Sequence, residues 1–267
     1  MRELAGRAAK ELLKADHVTV ASHIDADGIA SGAVASMALD DAGIANDVVF
    51  TKKMDEKFVT ELKARKPELV WFTDLGSGST DMLDGLHGVI SDHHRPLEPG
   101  GKKARKTLFD YVDGPADDFV QVNPHMVGRD GGTDISGAGC TYLVARAMNP
   151  ELGWLAHLAV VGAVGDMQDR VTRGLTGTNR EILADGEEFG VIEIEEDLNL
   201  FGTETRPVWK MLQYASDLKI EGITDDYKGS MDFLMDLGIN LKRGEEWRTW
   251  SGLKKAEKRI IVSALAR

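Results

Sequence analysis

Cysteine is almost absent from this sequence: Cys140 is the single example among 267 residues, which excludes an intramolecular disulfide framework and any cysteine-rich zinc site. A long apolar run is missing as well. The most hydrophobic stretch, Leu158 to Gly165, falls far short of the roughly 20 residues a membrane span needs. Met1 to Ala15 is a charged helical pattern without the apolar core of a signal peptide. A cytoplasmic protein with no membrane partner is therefore expected. Positive charge is in deficit, with 32 Lys and Arg against 44 Asp and Glu and a net charge of −12. That excludes nucleic-acid capture by bulk positive charge, which needs clustered Lys and Arg. It does not exclude a polyanionic substrate, because bound divalent cations reverse the sign of a site locally. Internal repeats and low-complexity segments are lacking. Hydrophobic residues at 42% and charged residues at 28% exclude a disordered chain. The length suits one to two domains with a sizeable core.

What is present alternates. Leu4, Ala8 and Leu12 recur at helical spacing, Val18–Ser22 reads as a buried strand, and the small residues of Gly28–Leu39 suit a helix packed closely on a sheet, with Gly43 as its stop. Asp47–Thr51 reads as a strand, Glu56–Arg65 as a helix, Leu69–Thr73 as a strand, Thr80–Leu86 as a short helix and Gly88–Ser91 as a strand. Such alternation predicts an α/β fold with a parallel sheet covered by helices on both faces. Cys140–Met148, Leu152–Val164 and Asn179–Phe189 read as helices. A change of composition near residue 190 divides residues 1–190, which hold the alternating pattern, from 191–267, a mainly helical connector or the start of an inserted region.

Acidic and imidazole groups fall where an open parallel sheet places its ligand, outside the carboxyl ends of the strands. His23, Asp25 and Asp27 follow the first strand, Asp74 ends the Val70–Thr73 strand, and Asp92-His93-His94 follows Val89–Ser91. His23, Asp25 and Asp27 alternate, so in extended backbone they share one face, and Gly28 then permits the turn into a helix. Crowded carboxylates need a neutralising partner, and divalent cations supply one. The mixed donor set suits Mn²⁺, with Mg²⁺ or Zn²⁺ as alternatives. A further carboxylate, Asp166, closes the Gly-punctuated segment Ala159–Gly165. His23, Asp25, Asp27, Asp74, His93 and Asp166 are enough for two ions, a set able to activate water for phosphoryl displacement.

These residues carry a resemblance. His-x-Asp-x-Asp-Gly (His23–Gly28), the lone Asp74, Asp-His-His (Asp92–His94) and Gly-x-x-Gly-Asp (Gly162–Asp166) resemble the four motifs of the DHH phosphoesterase superfamily. With Ile135–Tyr142 and Ala163–Asp169, the match over about residues 15–190 is most similar to archaeal RecJ-like nucleases, and Leu200–Pro207 is similar to the same group. The resemblance implies a centre of two Mn²⁺, or Mg²⁺, with His23, Asp25 and Asp74 holding one ion and Asp27, Asp74, His93 and Asp166 the other. Asp92 would orient a ligand from behind, and His94 would contact the scissile phosphate. It further implies a metal-dependent phosphodiesterase, an exonuclease releasing mononucleotides from single-stranded DNA or RNA by way of a water activated by the two metals. Two alternatives stay open: a small-substrate phosphodiesterase acting on oligoribonucleotides, cyclic dinucleotides or bisphosphorylated nucleotides, and a replication scaffold partnered with the GINS complex. The His-x-Asp-x-Asp spacing differs from the His-x-x-x-Asp-x-Asp of family II inorganic pyrophosphatases and disfavours that activity. The Gly-Gly-Gly-His signature of the family's carboxyl-terminal substrate-clamping domain has no counterpart, since Gly100-Gly101 and Gly131-Gly132 are not followed by His. The chain thus reads as a fragment ending in the interdomain region or, in the second reading, as a stand-alone core.

Other residues carry two readings. Ser136, Gly137 and Gly139, ahead of a helix, suit either a backbone cradle for phosphate or a plain N-cap at Ser136. Arg95, next to the His pair, is a candidate phosphate contact, and Arg129, Arg170 and Arg173 read as surface residues. Trp247 and Trp250 suit base stacking or, more simply, a core. His17, His87, His125 and His157 lack partner spacing, and Cys140 reads as inert packing.

Overall fold

The computed structural model describes residues 1–97, 119–194, 197–198, 200–216 and 219–266, so the Gly100-Gly101 pair lies outside the described residues. Two compact units follow one another along the chain, Met1–Ile194 and Glu195–Arg267.

The first unit is built on five parallel strands in the order β2-β1-β3-β4-β5: β1 (His17–His23), β2 (Ala45–Thr51), β3 (Leu69–Thr73), β4 (Gly88–Ser91) and β5 (Phe119–Val122). Three of the central strands are buried along their length, as strands covered on both faces must be. Helices α1 (Arg2–Leu12), α2 (Ala26–Asp41) and α4 (Gly137–Met148) join the core that includes Val18, Val20, Trp71 and Val89. Helix α3 (Glu56–Ala64) presents Val59 and Leu62 to a second core with Val70, Phe72 and Ile90. Helices α5 (Ala156–Gly165) and α6 (Gly177–Glu188) follow; α2, rich in Gly, Ala and Ser, has α4 and α5 as its chief helical neighbours.

Register brings the strand ends level. Ser22 pairs with Thr73, Thr73 with Ser91 and Ser91 with Val122, so His23, Asp74, Asp92 and Asn123 each stand one residue beyond the same row. Buried hydroxyls knit that row: Thr73 Oγ1 donates to Ser22 Oγ (2.8 Å), Ser22 Oγ to the Gly28 carbonyl (2.6 Å), and Trp71 Nε1 to Ser91 Oγ (2.9 Å). The rim therefore rests on a fixed floor.

Several elements differ from expectation. β5 escapes sequence reading because four residues, Phe-Val-Gln-Val, are too short to show a period. Thr80–Leu86 is not a helix; a 3₁₀ segment occupies Ser77–Met82, where Ser77 donates its backbone N–H to Asp92 Oδ2 at 3.0 Å. Asp27 is not on an extended strand. Asp25 is the N-cap of α2, accepting from the Gly28 amide at 2.9 Å, and Asp27 lies in the helix's first turn. Glycine 28 is needed there because a Cβ would collide with the His23 carbonyl.

The second unit is more compact than a connector. Helices α7 (Val208–Gln213), α8 (Tyr227–Asp236) and α9 (Lys255–Leu265) surround a core of their own containing Met211, Leu212, Leu234, Trp250 and Ile261. Trp250 is 1% exposed and donates Nε1–H to Asp197 at 2.7 Å, which fixes it as a core residue. Sequence patterning missed this core because its apolar residues come from short helices and irregular segments, without one sustained period. Among the described residues, no helix is long and apolar enough to cross a membrane.

Candidate metal centre

Two histidines, at the ends of β1 and β4 on either side of β3, are wired alike. His23 places Nε2 3.1 Å from the Lys52 carbonyl, so that nitrogen donates, and Nδ1 is left as a lone pair 2.7 Å from Asp25 Oδ2 and 3.7 Å from Asp74 Oδ2. His93 places Nδ1 2.6 Å from the Gly131 carbonyl, so Nε2 is the nitrogen that faces Asp74 Oδ1 (3.3 Å), Asp166 Oδ2 (3.7 Å) and Asp27 Oδ2 (3.8 Å) and that would offer its lone pair once a cation displaces its proton. A backbone carbonyl behind each ring is the arrangement by which a ligating histidine is oriented and made more basic.

The carboxylates are buried to different depths. Asp27 and Asp74 are each 2% exposed, whereas the Asp25 side chain is half exposed and Asp166 about one-third exposed. Asp27 is held by the first turn of α4: the Gly137 N–H donates to Oδ2 (2.7 Å) and the Ala138 N–H to Oδ1 (2.9 Å). Those amides are the donors that the phosphate-cradle reading required, and the Gly139 N–H is taken by Ser136 Oγ at 3.2 Å. Ser136 is thus an N-cap, and Ser136, Gly137 and Gly139 offer no free cradle. Glycine at 137 has another cause: a Cβ there would stand 2.5 Å from Asp74 Oδ1 and 2.6 Å from Asp74 Cβ. Gly137→Ala is expected to cost about 1–3 kcal/mol through overpacking and to weaken ion binding, both readable in melting curves with and without Mn²⁺.

Asp74 itself sits at φ +59°, a left-handed conformation that Asp tolerates better than most residues. Burial pushes its pKa up to about 8, with Asp27 and Asp92 adding to the effect against His93. Burial likewise raises Asp27, against the pull of His93 and the α4 amides. For His93, burial works downward, but Asp74, Asp27 and the Gly131 carbonyl outweigh it and hold the imidazole at about 10. At neutral pH the metal-free site therefore stores protons that a cation must displace. Mn²⁺ binding is expected to release protons and to strengthen as pH rises from 6 to 8, by about tenfold per unit for each proton displaced. Calorimetry in buffers of different ionisation enthalpy measures that number.

Asp92 is spent within the protein. Its Oδ1 accepts from the His93 N–H (2.7 Å), the His94 N–H (3.1 Å) and His94 Nδ1 (2.8 Å), and Oδ2 accepts from Ser77. Burial would raise its pKa, but the His94 hydrogen bond and the charges of both histidines prevail and keep it at about 2. His94, with its side chain 59% exposed, has its own pKa raised, chiefly by that same bond. Arg95 is exposed beside it. Arg129 is not free, since it reaches Asp134 (3.2 Å) and Thr178 (2.5 Å). Cys140 is fully buried and burial raises its thiol pKa, as inert packing requires.

Two residues of the centre carried no assignment from sequence. Asn123 bonds the His94 carbonyl (2.8 Å) and Ser77 Oγ (3.0 Å), and Gln168 lies behind Asp166. Asn123 could have been found only with β5. Gln168 stood inside a quoted motif but without a recognisable chemical role.

Among the described residues, His23, Asp25 and Asp74 form one group able to hold an ion, and Asp27, His93 and Asp166 another, each with its ligand atoms within 4.8 Å of one another. A third grouping, Asp74, Asp92, His93 and His94, is weakened by the saturation of Asp92. His23 Nδ1 and Asp74 Oδ1 are buried without a hydrogen-bond partner. Groups able to donate lone pairs, turned on one another, fit a cation between them.

Fold and site together define an α/β protein with a carboxylate–imidazole centre at the carboxyl rim of a parallel sheet. Residues 200–267 match the DHH-CID domain family. An uncharacterised protein of Methanocaldococcus jannaschii is 28% identical over 259 residues, covering 93% of this chain and 53% of its own length; the chain spans about half of that relative. The crystal structure of exonuclease RecJ bound to manganese superposes with a TM-score of 0.51 at 17% identity, over 100% of this chain and 64% of that one. The structure of CDC45 from Entamoeba histolytica gives 0.58 at 14% identity, over 98% and 55%. The chain thus carries a DHH-CID match over residues 200–267 and shares its fold with exonuclease RecJ and CDC45.

Proposed function

We propose that this chain is a metal-dependent phosphoesterase that hydrolyses single-stranded nucleic acid from an end and releases mononucleotides. The convergence of two carbonyl-backed imidazoles with buried carboxylates, His23 Nδ1 and Asp74 Oδ1 being unpartnered, carries the reading. His23, Asp25 and Asp74 would hold one ion, and Asp27, His93 and Asp166 the other, with Asp74 between the two groups. Divalent ions bound there would supply Lewis acidity, activating water and offsetting phosphate charge. The fold shared with a manganese-bound exonuclease makes Mn²⁺ the first cation to try. His94, anchored through Nδ1 to Asp92, leaves its Nε2 edge for a phosphate oxygen, and Arg95 is its exposed neighbour.

End-labelled single-stranded DNA and RNA, incubated with Mn²⁺ or with EDTA, should yield labelled mononucleotide only with the metal. Strands that stay intact in Mn²⁺ would overturn the exonuclease reading. The net charge of −12 favours a second reading, in which the same chemistry acts on short oligonucleotides or small phosphodiesters. Turnover that falls as strands lengthen would select it.

A further inference from the structure

Gln168 is the most connected side chain behind the centre that no step above employs. It is 1% exposed, two residues beyond Asp166, and its amide nitrogen lies 2.9 Å from the Gly131 carbonyl, 3.1 Å from Asp166 Oδ2 and 3.4 Å from the Ile135 carbonyl. All three are acceptors, so the NH₂ must point toward them. On the opposite side Oε1 accepts from Asn179 Nδ2 at 2.6 Å, and Asn179 Oδ1 faces the Ser136 N–H at 3.4 Å. Asn179 is 2% exposed and sits in α6. The amide cannot turn over without setting Oε1 against a carboxylate and two carbonyls while leaving Asn179 Nδ2 buried and unpaired, which costs about 1–3 kcal/mol for one such group.

The consequence for the histidine is direct. The Gly131 carbonyl that receives a Gln168 proton is the one that receives His93 Nδ1–H at 2.6 Å. One amide thus fixes a carbonyl behind an imidazole and, with its other proton, a carboxylate oxygen on the same side of the site. Gln168 Nε2 comes within 3.4 Å of His93 Nδ1, close enough to limit the ring's tilt. Among the described residues, no hydrogen bond links Gln168 or Asn179 to His23, Asp25 or Asp74.

We infer that Gln168, braced by Asn179, is a positioning residue for one of the two ions only: it holds His93 and Asp166 at the spacing required with Asp27, and leaves the His23, Asp25 and Asp74 group untouched. This inference rests on the reading of the two groups as ion sites and adds to it an asymmetry. Loss of a partner behind metal ligands weakens binding by about 10–100-fold.

The test is Mn²⁺ titration of the full chain by calorimetry and by the paramagnetic resonance of free Mn²⁺, with Gln168→Leu and the isosteric Gln168→Glu. The expected result is two binding steps in the wild type, with one weakened by 10–100-fold in both variants and the other unchanged. Asp25→Ala is expected to weaken the complementary step. Should Gln168→Leu fail to fold, Asn179→Leu replaces it, with a smaller loss in the same step. Wild-type affinity at both steps in folded variants would overturn the inference, as would equal weakening of both steps. Absence of any Mn²⁺ binding to the wild type would instead bring down the reading beneath it.

Discussion

Asp74→Asn should abolish metal-dependent cleavage while leaving the fold intact. Asp74 lies between the two groups, with Oδ2 3.7 Å from His23 Nδ1 and Oδ1 3.3 Å from His93 Nε2. An asparagine keeps the volume, tolerates the left-handed backbone at this position and removes the charge that a shared ion would need. Metal-derived stabilisation of a phosphoryl transition state is worth several kcal/mol. At about 1.4 kcal/mol per factor of ten, cleavage should fall by at least about 10³-fold. The thermal signature goes the opposite way. Asp74 is a buried carboxyl whose charged form is disfavoured, with its pKa raised to about 8, so asparagine should leave the metal-free melting temperature unchanged or higher. The rise in melting temperature on adding Mn²⁺, a mass-action effect of binding, should disappear. A variant that retained both cleavage and the Mn²⁺-induced rise would sink the shared-ligand assignment.

Asp92→Ala should be the more damaging change to the fold. Four donors lose their acceptor together, and two of them, the Ser77 and His93 amides, belong to buried residues. Each buried donor left unsatisfied costs about 1–3 kcal/mol, so a total loss of about 3–5 kcal/mol is expected. For a unit of this size that corresponds to a fall in melting temperature of about 10 °C. Asp92→Asn is the milder change: its oxygen can still accept from His93 and His94, although its NH₂ then faces the Ser77 N–H, and the charge has gone. His94 has its pKa raised first by its hydrogen bond to Asp92, so it remains a cation to higher pH than a free histidine. With asparagine at 92 that pKa drops. If the cationic form serves the reaction, the alkaline limb of the pH–rate profile should move to lower pH. An unmoved limb, with the His94 ring titrating lower by NMR, would remove His94 from the chemistry.

Much of this architecture is legible in the sequence because the chemistry follows local rules. Strands β1, β3 and β4 are short apolar runs with His or Asp at or just past their ends, so the strands and their rim could be read directly. The six candidate ligands do meet at that rim, yet Asp27 arrives by a different route. Alternation placed it on a strand face; it is instead the first turn of α2, drawn inward by amides of α4. No local pattern encodes a contact across 110 residues. The same limit hid the role of Gly137 and Ala138, whose amides receive the Asp27 carboxylate. Gln168 escaped because an amide has no titratable signature, and its importance appears only when Gly131, Asp166 and Asn179 are seen around it.

The long reach of Asp27 also bears on when the centre can exist during folding. Five of the six candidate ligands lie within the first 93 residues, but the groups that aim Asp27 and His93 lie at Gly131, Gly137 and Ala138. Closing such loops is slow, because the chain entropy is lost before the contact rewards it. A nascent chain halted at residue 130 would carry most of the donors and none of the aim for these two. Affinity for the ion of the Asp27, His93 and Asp166 group therefore arrives late, as a seal on a sheet already assembled rather than as a seed for it.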